Sequence, residues 1–440
     1  MSRPSWSRRV LELAWPTILS NLTVPLLGLV DVAVVGHLPG PVPLGAVAVG
    51  ALVFGFVYWG FGFLRMATTG FAAQALGAKD PVEVRASFAR PALMGLALGA
   101  VLVALQLPIG WASFSLVDAS AAVEAQAHAY YSARIWGAPA VLLNYAVLGW
   151  LLGVQRPRLA LALQVTVNLC NLGLDLVFVY GLGWGVAGVG AGSAIAQGGG
   201  SALGLLMVWR VLRSHRASLS WRVVFDGQRL ARLWQANRDL FIRTLCLISA
   251  FAWFTAQGAA QGDVVLAANA VLLNFQTLIS YALDGFAHAA EALVGEQLGA
   301  KDSAGLSAVV RAVTRFSALL AALFFLAYLL GGAWMVSLLT DIEEVRTEAA
   351  RYLPWVVTSP LVSVWSYQLD GIFIGATRTR EMRESMLLSF AAYLALGYMG
   401  LWLWGNHGLW AAFLAFMLLR AVTLIPRYPA IARAARQSRV

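Results

Sequence analysis

Five polar side chains stand in stretches that are otherwise apolar: Asp31, Asn168, Asn171, Asp175 and Ser193. Asp31 sits between Leu-Gly-Leu-Val and Val-Ala-Val-Val-Gly36. Asn171 and Asp175 are four residues apart and share a helix face, with Asn168 one turn earlier on the same stripe. An ionisable group at the centre of a membrane helix costs about 2.5–3.5 kcal/mol or more, so each such residue is a candidate for function. Two carboxyls facing one another in a low-dielectric pocket do not both ionise easily, and such a pair takes up and releases a proton. That is the chemistry of coupling a proton to a change of shape, with no bond made or broken in a substrate. The plainer alternative is that each acid is hydrogen-bonded locally at its helix end.

Depth is set by the helical rise. Asp31 lies five residues before Gly36, Asp175 six before Gly181, and Ser193 nine after Trp184. At 1.5 Å per residue they fall roughly 8, 9 and 13 Å below the outer boundary, so three helices bring polar groups to one level. Pro16 and Pro25 stand in the same helix as Asp31 and supply either hinges or static kinks. A second polar group comprises Asp284, His288 and Glu291, spaced i, i+4 and i+7 on one face, with Asp370 elsewhere. It reads as a gate, a proton route or a polar contact between helices. With no second ligand-bearing segment, no metal site is expected. Tyr58, Trp59, Tyr145, Trp253, Phe254, Phe275 and Tyr281 either line a cavity suited to planar cations or serve as packing and interfacial anchors.

The elements that must position these groups are membrane helices. The 440 residues are 60% hydrophobic and 12% charged, with mean hydropathy +0.73. A soluble domain carries about 25% charged residues, so lipid must solvate most of this surface. Twelve apolar segments of about 20 residues or more are predicted, at about 10–35, 43–66, 86–107, 127–152, 159–181, 184–209, 238–261, 264–293, 306–331, 350–374, 385–404 and 407–426. The second six repeat the first. Gln74-Ala-Leu-Gly-Ala-Lys-Asp80 returns as Glu296-Gln-Leu-Gly-Ala-Lys-Asp302, and Gly153-Val-Gln-Arg-Pro-Arg158 returns as Gly375-Ala-Thr-Arg-Thr-Arg380. The shift that carries Lys79 to Lys301 also carries Gly153 to Gly375, so one offset serves both matches. A duplicated six-helix unit in so apolar a chain points to a transporter. The predicted fold is all-α, with an N-terminal lobe over 1–209, a cytoplasmic linker over 210–237 and a C-terminal lobe over 238–440. The acidic pair is not duplicated, because the same shift carries Asp31 to Trp253 and Asp175 to Gly397.

The net charge of +10 is an orientation signal and no mark of nucleic-acid binding, since arginine and lysine collect in alternate loops. The positive-inside rule places both termini in the cytoplasm and allows some attraction to anionic lipid. Trp221, Val224, Phe225 and Leu230 accompany the bases of the linker, which suits an interfacial helix. The basic, then apolar, N-terminus is too long and lacks the cleavage site of a secretory signal, so it is expected to stay as helix 1. Cys170 and Cys246 support neither disulfide nor metal. The glycines of Gly185-Val-Ala-Gly-Val-Gly-Ala-Gly192 lack the strand of a dinucleotide site and suit close helix packing. No His-Glu-x-x-His, Gly-x-Ser-x-Gly or paired catalytic Asp motif points to an enzyme.

Several motifs together resemble the multidrug and toxic compound extrusion family, in particular its DNA-damage-inducible branch. They are Trp15-Pro-Thr, Val30-Asp31-Val-Ala-Val-Val-Gly36, the two Gly-Ala-Lys-Asp turns, Asn171-x3-Asp175-x4-Tyr180, Ala282-Leu-Asp284-Gly-Phe, Glu291-Ala-Leu-Val-Gly295 and Gly371-Ile-Phe-Ile-Gly-Ala376. The resemblance implies two six-helix lobes in a V and antiport of drugs, often organic cations, against protons or sodium ions. It assigns the principal coupling role to Asp31, assisted by Asn171, Asp175 and Ser193, and matches the helix-1 proline to Pro16. A tyrosine that some relatives carry one turn before the aspartate is Leu27 here. Sodium-linked relatives have acids in helix 7 and mid helix 10, which this chain lacks between Asp239 and Asp263 and has only as Asp370. A proton is therefore the expected coupling ion, with sodium the alternative and no cofactor. The expected protein is a monomeric exporter of drugs or toxic organic cations, multi-pass in a bacterial inner membrane and embedded in its lipid. The rival reading is a flippase for lipid-linked precursors, which needs converging bases in a central cavity. Membrane-depth bases are few: Arg65, Arg134, Arg243 and Arg420.

Overall fold

A computed structural model describes residues 5–115, 119–215 and 217–436, with residues 24–30 described by backbone alone. The side chains of Pro25 and Leu27 thus lie outside the described residues. No strand occurs among the described residues. Among the described residues ten helical stretches are long and apolar enough to cross a membrane. Helices α1 (Trp6–Val35) and α14 (Glu343–Gly375), each at least 30 residues long, complete the twelve.

The chain divides into two compact units, Leu19–Trp234 and Met1–Ile18 with Gln235–Val440. The boundary falls inside α1, so Pro16 belongs to one unit and Asp31 to the other. The first unit holds α2 (Val42–Gly60), α3 (Phe63–Gly77), α4 (Pro81–Ala104), α5 (Gln106–Phe114), α6 (Ala121–Arg134), α7 (Ala138–Gly153), α8 (Pro157–Leu176), α9 (Gly185–Leu212) and the short α10 (Trp221–Val224). Helix α11 (Gly227–Ala259) begins in the first unit and continues into the second. The second adds α12 (Asp263–Gly299), α13 (Ser303–Leu339), α14, α15 (Thr379–Trp404), α16 (Asn406–Val422) and α17 (Tyr428–Arg436).

Several boundaries differ from the sequence reading. The second segment is two helices, because Gly60-Phe61-Gly62 tightens into i→i−3 bonds from Phe61 and Gly62. The fourth is broken by a 3-10 turn at Ile135–Gly137, just before Pro139, which cannot donate to a helix ladder. Helix α11 starts at Gly227, so the end of the expected linker is already helical.

The duplication persists at atomic detail. Among the described residues the non-glycine positions with left-handed backbone are Lys79, Gln155, Lys301 and Thr377. The repeat pairs Lys79 with Lys301 and Gln155 with Thr377. Each follows the end of a helix in a Schellman turn. Asp80 N–H reaches the Ala75 carbonyl at 3.2 Å, and Asp302 N–H reaches that of Gln297 at 2.9 Å. The aspartates then cap the next helix, Asp80 accepting from Val82 and Glu83 N–H, and Asp302 from Gly305 N–H.

Close helix pairs repeat as well. A Cβ on Gly149 or Gly153 of α7 would lie 2.3 or 2.6 Å from the Arg65 or Thr69 carbonyl of α3. On Gly371 or Gly375 of α14 it would lie 2.3 or 2.5 Å from the Ala287 or Glu291 carbonyl of α12. Only glycine permits backbones this near, and with lipid on both sides such packing, more than apolar burial, joins membrane helices.

Candidate coupling site

Asp31 from α1 and Asp175 from α8 come together inside the Leu19–Trp234 unit. They are 2% and 0% exposed, and their carboxyls are within hydrogen-bonding reach of one another. The helical stripe read from the sequence places Asn171 beneath Asp175. Its Nδ2 donates to both Asp175 carboxylate oxygens at 3.1 Å and to Ser193 Oγ of α9 at 3.3 Å. Three helices therefore converge on one acid. Gly192 makes room for it, since a Cβ there would stand 2.3 Å from Asp175 Oδ1. Two buried oxygens, Asp31 Oδ1 and Asn171 Oδ1, accept no hydrogen bond. A protonated carboxyl is a donor as well as an acceptor, so such a cluster changes its pattern of bonds with every proton gained or lost.

Asn168 is not part of this cluster. It is half-buried, donates to the Thr23 carbonyl of α1 at 3.1 Å and accepts from Gln164. Its work is to fasten α8 to α1 below the acids. Pro16 is buried in the other unit. Helix α1 runs unbroken through the positions of both prolines.

Two features of the site were not assigned to it from the sequence. The first is Arg134 on α6, a half-buried base whose guanidinium acts electrostatically on both acids without an ion pair to either. It donates to the Tyr130 hydroxyl and lies 5.0 Å from the centroid of the Phe54 ring. Tyr130 is itself seated by glycines, since a Cβ on Gly50 or Gly190 would strike its ring or carbonyl. Its sequence signal was an arginine well inside an apolar segment that also holds two tyrosines. The second is a π-helical turn at Val177–Gly181, directly after Asp175. Such turns gather at functional sites. Tyr180 from this turn donates to the Val34 carbonyl at 2.5 Å, tying α8 to α1 on the far side of the acids from Asn168.

The second expected polar group is rearranged. Asp370 of α14 pairs with Arg243 of α11 and, at 2.6 Å, with Arg420 of α16, and all three are buried. His288 and Glu291 of α12 approach each other to 4.0 Å, and Asp284 acts electrostatically on Arg243. Among the described residues no three His, Cys, Asp or Glu side chains are grouped to hold a metal ion.

The sequence profile of the MatE family matches residues 16–177 and again 241–402, once in each half. The chain is 44% identical to the DNA damage-inducible protein F of Escherichia coli K12, over 94% of this chain and 90% of that one. It is 24% identical to a probable multidrug resistance protein NorM of Rhodopseudomonas palustris, over 99% and 95%. Among solved structures, the Vibrio cholerae MATE transporter VcmN in its bent form shares the fold at TM-score 0.84 and 22% identity, covering 98% of both chains. An outward-facing multidrug resistance MATE family transporter does so at 0.86 and 16%, over 99% and 98%. With a duplicated profile, a relative this similar along nearly its whole length and twelve membrane helices, the chain belongs to the MatE family of transporters.

Proposed function

We propose that this transporter expels hydrophobic or cationic toxic compounds from a bacterial cell in exchange for protons, with both termini in the cytoplasm. The observation that carries the reading is the pair of buried carboxyls, Asp31 and Asp175, within hydrogen-bonding reach on different helices. A hydrogen bond between two carboxyls needs a proton between them. Loss of that proton leaves two negative charges facing each other where little water screens them, and they repel. The repulsion acts between α1 and α8, which Asn168 and Tyr180 otherwise hold together. Deprotonation thus loosens this seam and gives a cationic drug a counter-charge, and a proton arriving from outside closes the seam and displaces the drug. Asn171 and Ser193 keep Asp175 in place through the cycle. The names of two relatives, which speak of multidrug resistance, support drugs as the substrate class.

The test is uptake of a fluorescent organic cation by proteoliposomes under an imposed proton gradient or an imposed sodium gradient. Proton-driven uptake that disappears in Asp31→Asn is expected. Uptake driven by sodium alone, or full proton-driven activity in Asp31→Asn, would overturn the reading.

A further inference from the structure

The loop between α9 and α11 is held more firmly than a connection requires. Arg85 of α4 donates to the His215 carbonyl at 2.8 Å and the Leu212 carbonyl at 2.9 Å. Arg90, buried one turn further on, donates to the Val223 and Val224 carbonyls at 2.7 and 3.2 Å and pairs with Glu83 at 2.7 Å. Arg229 meets the same Glu83, Asp226 caps the Arg229 N–H at 2.9 Å, and Val224 is buried beneath. The backbone is thus fixed from α4.

What this frame presents outward is aromatic and basic. Trp221 and Phe225 are 71% and 60% exposed and stack with ring centroids 5.7 Å apart. The Arg213 guanidinium lies 3.8 Å from the Trp209 ring. Arg222 and Arg232 are exposed, as is Trp234. From Trp209 to Trp234 the sequence has six arginines against one acid, Asp226. A helical stretch long and apolar enough to cross a membrane ends at Leu212, which sets the start of the loop at the edge of the hydrocarbon. Exposed indole rings favour that depth, and guanidinium forks bind phosphate oxygens in pairs.

We propose that the clamped loop is a docking surface for anionic phospholipid headgroups. The phosphates meet Arg213, Arg222 and Arg232, and the rings of Trp221 and Phe225 lie among the first acyl carbons. An acidic soluble protein would match the charge but would not account for a stacked, exposed ring pair at the edge of a membrane span. Because the α4 arginines order the backbone beforehand, lipid binds without first organising the loop.

The experiment uses the full chain in phosphatidylcholine vesicles containing spin-labelled phosphatidylglycerol or spin-labelled phosphatidylcholine, and reads the motionally restricted fraction of each. Phosphatidylglycerol is expected to be preferred, less so at high salt, with the preference falling about fivefold per arginine removed in R213Q/R222Q/R232Q. The corresponding triple lysine variant should keep the preference, as should Arg351→Gln outside the loop. Matching circular dichroism and elution guard against misfolding. Equal restriction of the two lipids by the native chain would overturn the proposal, as would a preference unmoved in the triple glutamine variant. The readout is lipid association, so it stands independently of whether protons drive transport.

Discussion

The two halves of the chain share a backbone but invest their buried charge differently. In the Leu19–Trp234 unit, Asp31 and Asp175 face each other, with Arg134 held away from them by Tyr130 and Phe54. The equivalent places in the second half hold Trp253 and Gly397, and a Cβ on Gly397 would lie 2.3 Å from the Trp253 ring. An indole fills the space of the two carboxyls. Tyr393 stands where the first half has Asn171, and its ring packs edge-on to Trp253 at 5.1 Å. Conversely, Asp370 and its partners Arg243 and Arg420 correspond to Leu148, Asn21 and Gly198. One unit buries two acids against each other, and in the other Asp370 is matched by two permanent cations. The helices and their glycine seats recur in both halves, whereas the facing acids stand in one half and the acid braced by two arginines in the other.

The sharpest way to break this comparison is to remove the brace. Asp370→Asn leaves Arg243 and Arg420 buried without their counter-charge, which should cost about 3–5 kcal/mol and show as a large loss of thermal stability in detergent. A stability loss in Asp31→Asn as large as that would erase the distinction between the units. Next in size is Gly192→Ala, whose methyl must displace the Asp175 carboxyl. Overpacking of this kind costs about 1–3 kcal/mol, and proton-driven uptake should vanish even where the protein folds. The equivalent crowding on the other side, Gly397→Ala against Trp253, should lower thermal stability by a similar amount and leave coupling in place. Arg134→Met should impair transport, with partial recovery in Arg134→Lys, because lysine keeps the charge but not the planar group that stacks on Phe54. The smallest effect is expected from Asn168→Ala. It removes the hydrogen bonds to Thr23 and from Gln164, each worth about 1 kcal/mol, and the ratio of drug moved to proton consumed should be unchanged.

How much of this was legible without coordinates differs from residue to residue. Asn171 under Asp175 was readable because a helix repeats every 3.6 residues, so i and i+4 share a face whatever surrounds them. The Gly-Ala-Lys-Asp turns were readable because the repeated string carries its own cap. The pairing of Asp370 was not readable. Asp284, His288 and Glu291 shared a stripe that invited grouping Asp370 with them, whereas its partners come from α11 and α16, 127 and 50 residues away. Two arginines at membrane depth near one lone acid were the available clue, since such charges must be compensated. The π-helical turn after Asp175 left no mark in composition, because Val177-Phe-Val-Tyr-Gly181 is compatible with an ordinary helix.

The sequence alone determined the membrane setting, the number of spans, the duplication and which faces of α1 and α8 are polar. All of these follow from hydropathy and periodicity, which are local properties of the chain. Tertiary structure decided which polar groups meet: Asp31 with Asp175 from helices far apart in the chain, Arg134 with Tyr130 and Phe54, and Asp370 with Arg243 and Arg420. In a bilayer a polar side chain gains little until it finds a partner on another helix, and glycine contacts set how closely two helices approach. That approach distance is a property of pairs of helices, so it is fixed only once they have packed.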